Sequence, residues 1–115
     1  MKNYSFLLIL LSFSYAVKAV SAPNNPVLMN IALCSTAATI TGATNEAIYT
    51  SMLLIDEIKK ETNNDGAVTA ELVASYLKAA QKNLLAVAKA QNMHLKALAK
   101  NYFTDAECER LLTDL

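Results

Sequence analysis

The chain has no tryptophan, a single histidine, two cysteines, two glycines and two prolines in 115 residues. Each shortage removes a class of chemistry. His94 has no second histidine and no neighbouring cysteine with which to build a metal site or a proton relay. Two cysteines as far apart as Cys34 and Cys108 form neither a Cys-x-x-Cys redox pair nor a four-cysteine zinc site. Ser35, Ser51 and Ser75 have no nucleophile motif around them, and the carboxylates are scattered over polar faces. The expectation is a non-enzymatic protein without a cofactor.

Charge of one sign is also lacking. Ten basic residues stand against ten acidic ones. A chain without net positive charge is a poor nucleic-acid ligand, because phosphate binding wants cations in excess. Long apolar runs are limited to Phe6–Val17, twelve residues. A spanning helix needs roughly 20.

What is present begins with that run. Lys2 precedes it, and the small residues Ala19, Ser21 and Ala22 follow. A charged start, a short apolar core and a small-residue exit are the layout of a secretory signal. Val17-Lys18-Ala19 places cleavage after residue 19. Cleavage after residue 22 is the alternative, and it would leave Pro23 first. The product, residues 20–115, is expected to be one exported domain, periplasmic or secreted, without a transmembrane anchor. Loss of Lys2 and Lys18 leaves eight basic against ten acidic residues, a net charge of −2.

Export leads to an expected Cys34–Cys108 disulfide, since an even cysteine count in an oxidising compartment reads as a bridge. Closing a loop of about 75 residues contributes on the order of 4 kcal/mol in the chain-entropy model.

The remainder reads as all-α. Glycine and proline are rare, and no stretch alternates with period two. The expected architecture is a small antiparallel helical hairpin or bundle of three to five helices. It has a short C-terminal helix and one disulfide. Pro26 suits a helix start, and Gly42 divides Val27–Thr41 from Thr44–Lys60, unless the two form one kinked helix. From Ile48 to Ile58 apolar residues nearly encircle the helix, which predicts a central element. Thr62–Gly66 is a turn. Beyond it, Thr69 is the expected N-cap of a single helix of about 33 residues, Ala70–Tyr102, with Gln91 and Asn92 marking where a kink would fall. Thr104 and Glu107 form a capping box ahead of a final helix, Asp105–Thr113.

Three features are candidate sites. Lys78, Lys82, Lys89, Lys96 and Lys100 lie within about 40° of one another on one continuous helix. They are candidates for binding an anionic partner or a membrane surface, against the plainer readings of a solvated face or of pairing with Glu46 or Glu57. Glu61, Asn63 and Asp65 fall at positions 1, 3 and 5 of an EF-hand-like loop, but Leu72 stands where the bidentate glutamate belongs. They are weak calcium candidates. His94 is expected at the edge of the apolar face, hydrogen-bonded.

Small exported helical domains with one disulfide serve as inhibitors, immunity-type proteins, chaperone-like partners and carriers of lipids. Architecture does not choose among them. The leading expectation is binding to another protein, with homodimerisation also open. The alternatives are a carrier of a small apolar ligand or lipid, and a degenerate calcium module.

Overall fold

The computed structural model describes residues 24–104 and 106–113. The expected signal segment, 1–19 or 1–22, lies outside them. Among the described residues there are five helices and no strands: α1 (Pro26–Thr41), α2 (Thr44–Glu61), α3 (Gly66–Ala90), α4 (Leu95–Phe103) and α5 (Ala106–Thr113). None of them is long and apolar enough to cross a membrane.

Local chemistry sets most boundaries. Asn25 caps α1, its Oδ1 accepting from the N–H groups of Val27 at 2.9 Å and Leu28 at 3.3 Å, with Pro26 next in the chain. The same residue ties three helices together. Its Nδ2 donates to Glu61 Oε2 at 2.9 Å, and its backbone N–H donates to Tyr76 Oη at 3.1 Å.

Three helices end in the same way. Gly42, Asn63 and Asn92 take the left-handed conformation, with φ of 84°, 56° and 55°. The next residue's N–H then reaches back five positions, Ala43 to Ala38, Asn64 to Lys59 and Met93 to Ala88. This closure satisfies carbonyls the helix leaves open, and it needs glycine or asparagine because other side chains resist positive φ.

Two expected boundaries move. The helix after the turn begins at Gly66, not Ala70. Asp65 is its cap, accepting from the Val68 N–H at 3.1 Å. Thr69 is buried inside the helix, hydroxyl to hydroxyl with Thr62 at 2.6 Å. The single long helix is two, because the reversal at Asn92 is a full helix end rather than a kink. Thr104 closes α4, its hydroxyl donating to the carbonyls of Lys100 and Asn101. The Glu107 side chain of the expected capping box lies outside what is described.

The largest correction concerns the centre. Eight consecutive residues of α1, Ile31 to Ala38, are all buried. In α2 only Thr50, Leu54 and Ile58 are buried, one stripe at four-residue spacing. Side-chain size explains the exchange. A helix surrounded on every side needs close neighbours, and Ala32, Ser35, Ala37 and Ala38 permit them. The larger residues of α2 serve one face only, with Ile48 and Met52 left outside.

The hairpin geometry brings α4 and α5 against α1. Cys34 and Cys108 are bonded, with 5.5 Å between their Cα atoms, and both are fully buried. The pairing is the one expected from the sequence, but the bridge holds the final helix to the middle of the first helix rather than to its start.

Candidate functional site

α2 and α3 lie side by side across α1 and leave a groove between them. At one end Ile55 and Lys59 face Ala70, Val73, Ala74 and Leu77. In the middle the floor is Ser35, Thr36, Thr39 and Ile40 of α1, walled by Ser51 on one side and Leu77, Lys78 and Gln81 on the other. At the far end the groove opens past Ser51 to Ala47, Ile48 and Met52. Ala74 and Leu77 line both of the first two sections, and Thr39 and Ser51 line both of the last two, where α3 ends as a wall and α1 and α2 alone line the opening. The three sections hold about 480, 370 and 390 Å³. Between Ile48 and Lys59 α2 advances about 16 Å, roughly three turns.

The floor is hydroxyl-rich but not hungry for partners. Ser35 and Ser51 bond to each other at 2.8 Å, and Thr39 donates to the Ser35 carbonyl at 2.9 Å. What the groove presents is largely methyl and methylene surface. Ile48 is 54% exposed and Met52 59%, although neither has a polar atom that gains from water. Among the described residues the only charged ones lining the three sections are Lys59 and Lys78.

The break at Asn92 splits the expected lysine stripe. Lys78 lines the groove, and Lys82 and Lys89 continue along the outer side of α3. Lys96 and Lys100 belong to α4 and line a different depression with His94. All five are exposed, and none forms an ion pair among the described residues. Glu57 pairs instead with Lys60 at 2.9 Å. His94 is not a core-edge residue. It is exposed at the N-cap of α4 and its side chain makes no cap hydrogen bond, because the helical phase that placed it against the core ends two residues earlier.

The calcium candidates are committed elsewhere. Glu61 accepts from Asn25, Asp65 caps α3, and Asn63 supplies the left-handed residue of the turn. Among the described residues no group of three His, Cys, Asp or Glu side chains is gathered as a metal site.

The apolar surplus of Ile48–Ile58 is legible in the sequence, but the groove is not, because its other wall is α3 and its floor is α1. The available signal is small residues at four-residue spacing, Ser35 and Thr39 in α1 and Ala70 and Ala74 in α3. No family model, no curated protein and no solved structure matches this chain.

Proposed function

We propose that the chain is an exported, non-enzymatic helical protein that binds another protein, seating an amphipathic helix of the partner in the α2–α3 groove. The observation that carries this reading is the exposure of Ile48 and Met52 at the mouth of an apolar groove. Apolar area removed from water is worth about 25 cal/mol per Å². A groove about three turns long suits a helix that offers apolar anchors at i, i+3, i+4 and i+7.

Charge narrows the partner. With Lys59 and Lys78 as the lining charges, a helix with acidic flanks is complementary. A second copy seated groove to groove would bring the same lining lysines from both copies into one interface, with no lining acid among the described residues to offset them, since a two-fold interface uses the same patch twice. The homodimer is therefore the weaker occupant. The carrier reading loses its original support too. Leu54 and Ile58 fill the core and Ile48 and Met52 lie on the surface, so the surplus lines no closed chamber. Export rests on the Lys2–Ala22 pattern, and a buried disulfide is compatible with it.

The test compares native isolates of the exported protein with those of Met52→Lys and of the Lys59→Glu/Lys78→Glu pair. The expected result is a co-isolating protein lost from both variants. A co-isolating protein that persists equally in both places the contact elsewhere.

A further inference from the structure

Lys96 and Lys100 stand apart from the groove just described. With His94 they rim an open depression of about 770 Å³ beside the α1–α2 turn. That volume falls within the roughly 300–1,000 Å³ of small-molecule sites. Its apolar lining comes from Ala43, Ala97 and Phe103. Among the described residues its lining carries three basic side chains and no acid. None of the three makes an ion pair among the described residues.

The spacing organises these groups into a head and a body. Lys96 and Lys100 are an i, i+4 pair, with Cβ atoms about 5–6 Å apart. Lysine stems rising from Cβ atoms that close are long enough to bring both ammonium groups to one compact anion. Phe103 lies three residues beyond Lys100 on the same side of α4, about 20° from Lys96 in helical phase. A chain leaving the anion therefore meets the aromatic ring and the alanines rather than a second charge. The threonines at the rim are already used. Thr41 donates to Ala37 and Ala38, and Thr104 to Lys100 and Asn101.

We propose that this depression binds a single-chain anionic amphiphile, its head group between Lys96 and Lys100 and its chain along Phe103, Ala97 and Ala43. Long lysine side chains suit such a ligand, because their own methylenes cover apolar surface while the ammonium groups stay at the charged end.

The test uses the disulfide-bonded protein and three probes below the concentration of micelle formation: dodecanoate, dodecanol and acetate. Amide chemical shifts of Gly42, Ala97 and Phe103 report the site. The expected result is saturable shifts with dodecanoate, binding about tenfold weaker for dodecanol, and none for acetate. Lys96→Gln/Lys100→Gln is expected to bring dodecanoate down to the dodecanol level and leave dodecanol unchanged. Both positions are exposed, so folding is not at stake. Lys82→Gln/Lys89→Gln is expected to keep the original affinity. Equal affinity for dodecanoate and dodecanol overturns the proposal. So does an equal loss in the Lys82/Lys89 variant, or a response confined to the α2–α3 groove.

Discussion

Ser35 and Ser51 meet hydroxyl to hydroxyl, 2.8 Å apart, where α1 passes beneath α2. Only small side chains allow two helices to come this close, and the pair forms part of the floor and wall of the α2–α3 groove. Ser51→Ala leaves Ser35, which is 2% exposed, with a single long contact of 3.5 Å to the Ala47 carbonyl. Urea unfolding is expected to show a loss of about 1 kcal/mol. Ser35→Leu is expected to cost about 1–3 kcal/mol through overpacking instead. A larger loss for Ser51→Ala than for Ser35→Leu would mean that hydrogen bonding, not space, decides this crossing.

The disulfide is expected to behave as structural rather than regulatory. Both sulfurs are fully buried, and the bridge spans 74 residues. Thiol reagents reach it only when α5 detaches. Reduction by dithiothreitol in native buffer should therefore proceed no faster than opening measured by hydrogen exchange. The Cys34→Ala/Cys108→Ala variant is expected to lose about 2–5 kcal/mol. Rapid reduction without loss of structure would contradict this.

The break between α3 and α4 depends on one backbone conformation. Asn92 holds φ at 55°. Asn92→Gly is expected to be neutral within about 0.5 kcal/mol, and Asn92→Val to cost about 1–2 kcal/mol by thermal unfolding. Gly42 is the parallel case at φ 84°, where an added Cβ meets nothing within 4 Å. Gly42→Ala should therefore cost only the conformational part, about 1–2 kcal/mol. If Asn92→Val is harmless, α3 and α4 are held apart by packing rather than by the turn.

Much of this fold is written in short-range signals. Asn25, Pro26, Gly42 and the Asn-Asn-Asp-Gly turn act on neighbouring atoms, so the start of the first helix, the place of its break and the place of the hairpin can be read directly, although whether Gly42 ends a helix or kinks one cannot. The cysteine pairing follows from there being only two. The centre of the bundle cannot be read in this way. Ile48–Ile58 carries more apolar bulk than Ile31–Ala38, but burial on every side depends on how close four neighbours approach, which is a property of the assembled helices. The same limit applies at Asn92. An unbroken helical phase runs through the sequence on both sides, and a single left-handed residue overrides it. With the break, the lysine stripe divides between α3, where Lys78 alone lines the groove, and α4, where Lys96 and Lys100 line a separate depression with His94 at its rim.

The most direct test of partner binding in the α2–α3 groove is site-specific photo-crosslinking in cells exporting the protein. A benzophenone side chain replaces Ala74, an exposed residue lining the groove, or Ala86, an exposed residue of α3 outside it. The expected result is a discrete crosslinked protein from position 74 only, abolished by Met52→Lys. Its crosslinked segment should be a helix bearing acidic residues beside its apolar face. Equal crosslinking from both positions, or an adduct from position 74 that survives Met52→Lys, would contradict it.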